Sequence, residues 1–110
     1  MVKDDYVEAV LSAVEQIPPG QVVSYGDIAE LVGFGGPRLV GRVMSTHGAA
    51  VPWWRVVRAD GRPARGLEQE ALARLAVDGA ELRRDHVNMA RSRWRPQAGV
   101  GNDRSRPALD

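Results

Sequence analysis

Two adjacent tryptophans lie in the most chemically distinctive stretch of the chain, Val51-Pro52-Trp53-Trp54-Arg55-Val56-Val57. Indole rings offer broad, polarisable faces on which flat ligands such as nucleic-acid bases stack. Pro52 stiffens the entry to the stretch, and the valine pair at its end is typical of a buried strand. Because side chains alternate along an extended segment, we expect one ring to pack inward and the other to face a cavity or the surface. Burial of both rings in the core is the alternative.

Arginines form the second group of side chains that could bind a ligand. Residues 1–37 hold one lysine and six acids, whereas residues 38–110 hold fourteen arginines and eight acids. Guanidinium groups pair with phosphates through two hydrogen bonds and stack on rings. Although the net charge is only +1, this uneven distribution favours a nucleic-acid partner. Three arginines in the loop 58–66 form either a solvated surface or a rim that faces an anion.

Composition excludes several classes of site. The chain has no cysteine, which rules out disulfides, thiolate metal ligands and cysteine nucleophiles. Two histidines are too few for a convincing metal site, so we expect neither a metal nor a cofactor. No long apolar run or signal peptide is visible, which predicts a cytoplasmic protein without a membrane partner. We place one domain at residues 1–90 and predict that the Arg-, Pro- and Gly-rich tail, 91–110, is largely disordered except around Trp94.

Apolar periodicity and capping signals predict the elements that position these side chains. Helices are expected at 4–17, 25–32, 37–46 and 67–78, with short extended segments near 21–23, 56–57 and within 80–88. Ser24 and Asp27 form a variant capping box, and Gly33 is a natural helix end. The second and third helices, joined by a glycine-rich turn, form a helix-turn-helix candidate. Two packed helices without a ligand are the alternative.

The predicted helix 37–46 has two distinct faces. Val40, Val43 and Met44 form an inner face at helical spacing. On the other face, residues spaced three and four apart bring two arginines together with two small residues. This basic outer face favours DNA as the ligand, and its members are Arg38, Gly41, Arg42 and Ser45.

Three motifs carry a family resemblance: residues 17–29 (IPPGQVVSYGDIA), residues 37–41 (PRLVG) and residues 51–57 (VPWWRVV). In order and spacing they closely resemble the DNA-binding domain of the O6-alkylguanine-DNA alkyltransferases, over residues 4–82. The resemblance implies a mainly α fold with little β, a winged-helix-like domain that contains the helix-turn-helix. In that family the third motif reads Pro-Cys-His-Arg, and its cysteine accepts the alkyl group. Here Trp53 stands at the cysteine position, which marks the alkyltransferase-like proteins.

The alkyltransferase-like proteins bind the lesion without repairing it, so the resemblance implies a non-enzymatic DNA-damage recognition protein. It implies binding of double-stranded DNA through the minor groove, rotation of O6-alkylguanine into a pocket lined by Trp53, and marking of the lesion for nucleotide-excision repair proteins. We expect a monomer. The residues implied in DNA or lesion binding are Tyr25, Arg38, Gly41, Arg42, Pro52, Trp53, Trp54 and Arg65.

The roles of Arg38 and Tyr25 follow from the same resemblance, and those of Gly41, Arg42 and Arg65 follow from their side chains and positions. Arg38 corresponds to the arginine finger that fills the vacated base stack, and Tyr25 to the tyrosine that crowds the target phosphate. Gly41 lets the helix backbone approach a groove, and Arg42 is expected to contact a phosphate. Arg65 is a candidate for the base edge. An ordinary half-buried tyrosine at 25 and a solvent-exposed arginine at 65 are the alternatives.

The chain departs from the family at two places. Trp54 stands where a histidine usually follows, and the asparagine hinge before the third motif is absent. Since there is no thiol to activate, loss of the histidine is chemically neutral, although it can alter the pocket. A winged-helix transcription regulator that reads sequence in the major groove and ignores alkylation is the main alternative function. The missing cysteine argues against an active transferase, and a role in protein interaction stays open.

Overall fold

Helices dominate the computed structural model, which describes residues 3–96. The mainly α arrangement, with a helix-turn-helix and a small hairpin after it, confirms the predicted fold class. In chain order the elements are α1 (Asp4–Glu15), β1 (Val23–Ser24), α2 (Tyr25–Val32), α3 (Pro37–His47), β2 (Val56–Val57), α4 (Glu68–Asp78), β3 (Leu82–Arg83), β4 (His86–Val87) and α5 (Met89–Ser92), with 3₁₀ turns at Gly48–Ala50 and Trp53–Arg55.

Local sequence signals set the boundaries of the helix-turn-helix. At the start of α2 the Ser24 hydroxyl accepts the backbone N–H of Asp27, and the Asp27 carboxylate accepts the backbone N–H of Ser24, each at 3.0 Å. This reciprocal pair satisfies two of the donors that a helix start leaves free. Gly33 ends α2 at a φ of 102°, a conformation that glycine adopts without steric cost. Pro37 then occupies the first turn of α3, where its missing N–H is harmless.

The main core lies where α1 packs across α2 and α3. Val10 and Val14 of α1 are fully buried, as are Ile28 of α2 and Val40 and Val43 of α3. A parallel pair, β1 with β2, continues this core, with Val23 opposite Val56 and Ser24 opposite Val57. The pairing joins the entrance of α2 to the exit of the tryptophan stretch. It therefore fixes residues 53–55 relative to the helix-turn-helix.

A second, smaller core lies beneath α4 and the hairpin. It is built from Val22, Val57, Leu75 and Val87, each fully buried. The strands β3 and β4 form an antiparallel hairpin whose turn contains Arg84 at a φ of 57°. Sequence patterning predicted only one short strand here, because no glycine or asparagine marks the turn.

Two helix predictions need correction in detail. α1 ends at Glu15 rather than at residue 17, since Pro18-Pro19 follows closely. Leu67, which precedes the first residue of α4, and Ala76 were expected to face inward with the buried Ala71 and Leu75, but both are exposed. Successive residues of a helix lie about 100° apart, so Ala76 turns away from the face that Ala71 and Leu75 share. Among residues 3–96, no helix has the length and apolar character needed to cross a membrane.

The chain remains packed on the domain past residue 90. Val22 donates its backbone N–H to the Ser92 carbonyl at 2.9 Å, and Trp94 donates to the Val22 carbonyl at 2.8 Å. The Trp94 ring packs against the main core. Arg93 donates from Nε to Oδ2 of Asp27 at 2.9 Å and pairs through Nη2 with Oδ1. The predicted disorder of residues 97–110 lies outside the described residues.

Candidate nucleic-acid interface

A cavity of about 560 Å³ opens between the helix-turn-helix and α4. One wall comes from the start of α2 and the exposed side of α3, and the facing wall from the loop before α4 and the first turns of α4. Of the eight sequence-predicted site residues, four line this cavity. They are Tyr25, Gly41, Trp53 and Arg65.

The two tryptophans belong to a tight 3₁₀ turn, so the expectation of an extended segment was wrong at this point. The backbone N–H of Trp53 donates to the Val51 carbonyl at 2.6 Å, and the backbone N–H of Arg55 donates to the Pro52 carbonyl at 3.1 Å. Both indoles are partly exposed, with centroids 5.8 Å apart and ring planes at 87°. Burial of both rings in the core is thus excluded, whereas Trp54 packs against the second core, as expected for one of the two rings. Pro52, half-buried, precedes the turn and is not among the residues that line the cavity.

Trp53 and Trp54 face different surroundings. The Trp53 ring lines the cavity, whereas Trp54 lies over α4 and outside it. Trp54 donates its indole N–H to Oδ2 of Asp78 at 2.9 Å. The guanidinium of Arg74 lies 4.8 Å from the Trp54 ring centroid, and that of Arg55 lies 5.4 Å away, both within cation–π range.

Arg55 anchors the turn from below. It donates from Nε to Oδ2 of Asp78 at 2.7 Å, from Nη2 to Oδ1 at 3.1 Å, and from Nη1 to the Ile17 carbonyl at 3.0 Å. Both charged side chains are nearly buried, at 13% and 10% exposed. Hydrogen bonds from Arg55 lower the pKa of Asp78 more than its burial raises it, with help from the Trp54 indole. This ion pair holds the tryptophan turn against the ends of α1 and α4.

The sequence reading did not identify this anchor. Arg55 belongs to the third motif and Asp78 ends a predicted helix, and no ion pair between them was predicted. The position of Arg55, between two tryptophans and a buried valine pair, was a signal, because an arginine held in such an apolar segment needs a partner for its charge if it is buried. Its partner, 23 residues further on, was not marked by any local pattern.

The outward face of α3 carries free positive charge. Arg38 and Arg42 are exposed and make no ion pair with any residue in 3–96, whereas Arg55, Arg62 and Arg93 are each paired with a carboxylate. Unpaired guanidinium groups on one helix face are available to phosphates. The structure thus brings both arginines to a single exposed surface at the rim of the helix-turn-helix.

Gly41 lies between these arginines and has no packing reason to be glycine. Its φ is not positive, and a Cβ built there would meet no atom within 4 Å apart from its own helix neighbours. Glycine in a helix interior costs about 1 kcal/mol relative to alanine. The fold gains nothing from this cost, and the surface over Gly41 is open.

Tyr25 stands at the first position of α2 with its ring half-buried in the cavity wall. Burial raises the pKa of the phenol above 10.0, and the positive charge of Arg58 opposes this only in part. The hydroxyl is therefore neutral at physiological pH and is able both to donate and to accept a hydrogen bond. Arg65, on the opposite wall, is exposed.

Comparison with known proteins relates this geometry to a family. The family model for the DNA-binding domain of 6-O-methylguanine DNA methyltransferase matches residues 5–80. A DNA base-flipping protein of Vibrio parahaemolyticus serotype O3:K6 (strain AQ3810) is 28% identical, over 84% of this chain and 99% of that protein. Alkyltransferase-like protein 1 of Schizosaccharomyces pombe (strain 972 / ATCC 24843) is 33% identical, over 84% of this chain and 97% of that protein.

A solved structure is similar over nearly the same length. The crystal structure of S. pombe Atl1 in complex with damaged DNA containing O6-carboxymethylguanine superposes with a TM-score of 0.77 at 31% sequence identity. The match covers 87% of this chain and 100% of that one. The family model, which matches residues 5–80, includes the helix-turn-helix, the tryptophan turn and α4 together.

Proposed function

The chain belongs to the family of the 6-O-methylguanine DNA methyltransferase DNA-binding domain, and from that premise we propose that it recognises O6-alkylguanine in duplex DNA without removing the alkyl group. The observation that carries the proposal is Trp53. It occupies the position of the family's alkyl-accepting cysteine and lines a cavity beside an exposed, basic helix. With no cysteine in the chain, the cavity offers a binding surface and no thiol nucleophile.

Recognition requires that the base leave the helix. An O6-alkyl group cannot be inspected inside a duplex, and extrusion costs a few kcal/mol of stacking and pairing. The cost is smaller for an alkylated guanine because its pairing is already weakened. Arg38, exposed at the start of α3, fills the vacated space, where its planar guanidinium stacks on neighbouring bases and donates hydrogen bonds to the orphaned partner.

Close approach of α3 to the DNA follows from its surface. Gly41 removes the side chain that would hold the helix backbone away from the minor groove, and Arg42 contacts a phosphate one turn from Arg38. Tyr25, at the edge between α2 and the cavity, crowds the phosphate of the target nucleotide and promotes its rotation. The free guanidinium groups and the open space over Gly41 support this arrangement.

Inside the cavity the flipped base meets an aromatic wall. Trp53 provides a polarisable surface for the purine or its alkyl group. Arg65 approaches the base edge from the facing wall, where an exposed guanidinium has freedom to adjust. Pro52 fixes the start of the 3₁₀ turn that presents the Trp53 ring.

The protein marks the lesion for nucleotide-excision repair and acts as a monomer. Since no group is available to accept the alkyl chain, the bound lesion has to be handed to another activity. An extruded base is a distortion of the duplex that excision proteins are able to detect, and this supports the step. The repair proteins are therefore the expected protein partners.

One binding experiment tests the proposal. Dissociation constants are measured for two duplexes of identical sequence, one with a single O6-methylguanine and one with guanine at that position. We expect tighter binding of the modified duplex and no added alkyl mass on the protein by mass spectrometry. Equal affinity for the two duplexes, with a preference among unmodified sequences, would instead favour the transcription-regulator alternative.

A further inference from the structure

Arg58 is the first of the three arginines in the loop 58–66, and it has no role in the proposed function. The parallel pairing of β1 with β2 brings it next to Tyr25. The last pair in that register is Ser24 with Val57, so Tyr25 and Arg58 each follow directly from adjacent strand ends. Burial raises the pKa of the Tyr25 phenol and the charge of Arg58 partly lowers it, so the two side chains are close enough to interact electrostatically.

The guanidinium of Arg58 is held at one edge and open at the other. Nε donates to the Pro63 carbonyl at 3.0 Å, which fixes the group against its own loop. Neither Nη1 nor Nη2 donates a hydrogen bond to any of residues 3–96. Oε2 of Glu68 lies 4.0 Å from Nη2, beyond hydrogen-bond distance. With 26% of the side chain exposed, the Nη edge is oriented by the loop and available to an acceptor.

The hydroxyl of Tyr25 is a second donor that the fold leaves unused. It makes no hydrogen bond within the described part of the chain, although its ring is half-buried in the cavity wall. Because burial keeps the phenol protonated, the hydroxyl is able to donate to an anionic oxygen. A neutral donor beside an open guanidinium edge suits one phosphodiester group, whose two non-bridging oxygens accept from both.

We infer that Arg58 is a further DNA-binding residue, which together with Tyr25 binds a backbone phosphate beside the extruded nucleotide. The inference rests on the proposed function, in which Tyr25 contacts the phosphate of the target nucleotide. Binding of that phosphate replaces the distant Glu68 carboxylate as the neighbour of the Nη edge. The next arginine of the loop, Arg62, is less suited to this role, because its guanidinium already pairs with Asp60 at 2.7 Å.

Neutral substitutions in the DNA backbone locate the contact. Duplexes with one O6-methylguanine carry a single methylphosphonate in place of the phosphate 5′ to the lesion, the phosphate 3′ to it, or the next phosphate on the 3′ side. For the wild-type protein we expect one of these positions to weaken binding by about fivefold, since a charge-assisted hydrogen bond is lost there. For Arg58→Gln the same methylphosphonate should weaken binding by no more than about twofold, because the charged partner is already missing.

Arg62→Gln is the matched control. It removes the same charge from the same loop, but from a guanidinium that is bound to Asp60, so the methylphosphonate should act on it as on the wild-type protein. Arg58→Lys keeps the charge without the two-nitrogen edge, and its loss of affinity should fall between those of the wild type and Arg58→Gln. Thermal melting establishes that each variant is folded. If glutamine at 58 unfolds the chain, the lysine variant decides, and a loss equal to that of the wild type overturns the inference.

The outcomes separate the inference from the proposed function. Suppose that the wild-type protein binds O6-methylguanine more tightly than guanine, but that no methylphosphonate weakens its binding or that Arg58→Gln is weakened equally at every position. Arg58 then only holds its loop, so the inference is wrong and the proposed function stands. A reduced sensitivity shared by Arg62→Gln also overturns the inference, because the effect is then one of net charge. If the wild-type protein shows no preference for the alkylated duplex, the proposed function fails, and the inference fails with it.

Discussion

The indole nitrogen of Trp54 donates a hydrogen bond to Oδ2 of Asp78, 2.9 Å away, and the same carboxylate holds Arg55. This bond draws Trp54 over α4 and leaves Trp53, its immediate neighbour, to line the cavity. The two tryptophans therefore have different roles. Trp54 contributes to the stability of the turn, and Trp53 is free to contact a ligand.

Trp53→Ala should reduce lesion affinity roughly tenfold, because stacking of one base on an aromatic ring contributes about 1–3 kcal/mol. Affinity for unmodified DNA should change less, since the cavity then stays empty. Fluorescence anisotropy with paired duplexes measures both. Trp54→Phe is the control: it removes the bond to Asp78 and should lower stability while retaining selectivity. If only Trp54→Phe lost selectivity, Trp54 and not Trp53 would be the tryptophan that contacts the lesion.

Restoring a cysteine should not readily restore repair. A thiol with a pKa near 8.5 is mostly protonated at neutral pH, and a neighbouring base is needed to take its proton. Neither Trp54 nor the cavity arginines, Arg65 and Arg74, can accept a proton, so Trp53→Cys should be nearly inert, whereas Trp53→Cys combined with Trp54→His should transfer alkyl groups faster. Mass spectrometry of protein incubated with O6-methylguanine DNA follows the reaction. Rapid stoichiometric transfer by the single variant would show that this pocket activates a thiol without histidine.

Arg38→Ala should weaken base extrusion more than general DNA binding. A fluorescent base analogue at the lesion site reports extrusion, and at saturating protein the variant should give a smaller signal. Arg42→Ala, one turn away on the same face, should leave the saturating signal intact. Arg42→Ala should instead lower the affinity for DNA, and the slope of log affinity against log salt concentration should fall by the amount expected for about one lost phosphate contact. Identical behaviour of the two variants would contradict the finger role of Arg38.

Gly41→Ala should separate stability from binding. The added methyl group meets open space in the free protein, so the free energy of unfolding should rise by about 0.5–1 kcal/mol. The same methyl group should weaken DNA binding by holding the α3 backbone away from the groove. Urea unfolding and anisotropy titrations measure the two effects. A stabilised variant with undiminished affinity would remove the argument for close approach at this residue.

Asp78→Asn should lower the free energy of unfolding at pH 7 by about 3 kcal/mol, because it leaves the nearly buried Arg55 without its charged partner. The pKa of Asp78 is below its ordinary 3.8 in the folded protein, so its contribution is complete above that value and is lost as the pH falls through the folded-state pKa. The difference between wild type and variant should therefore narrow in acid.

Asp60→Asn is the control for this acid dependence. Asp60 also pairs with an arginine, Arg62, at 2.7 Å, but both side chains are about half exposed. Exposed pairs contribute little to stability, so the unfolding midpoint should scarcely move. Urea titrations at several pH values compare the two variants. A difference between wild type and Asp78→Asn that stays constant down to pH 2 would exclude the carboxylate as its source.

Local signals were sufficient to predict the helix-turn-helix. The reciprocal bonds of Ser24 and Asp27, the end of α2 at Gly33 and the start of α3 at Pro37 depend on nearest neighbours along the chain. Four predicted site residues, including Tyr25 and Arg65, also line one cavity. They do so because the parallel pairing of β1 with β2 brings two recognised motifs together.

The tryptophan turn and the hairpin depended on distant contacts and were not predictable in the same way. Residues 53–55 form a 3₁₀ turn because Arg55 reaches the Ile17 carbonyl and Asp78, 38 and 23 residues away. The two-residue alternation of side chains in a strand therefore does not describe residues 53–55. In the hairpin, Arg84 adopts a positive φ that residue type alone does not suggest.

The Asp27–Arg93 pair makes the order of synthesis matter. Asp27, which caps α2, accepts a hydrogen bond from Arg93, a residue that is added to the growing chain 66 residues later. A nascent chain in which α2 and α3 have already been synthesised still lacks the Asp27–Arg93 ion pair. Forming this pair closes a long loop of the chain. The start of α2 therefore gains its contact with the segment after β4 only once residue 93 has been synthesised.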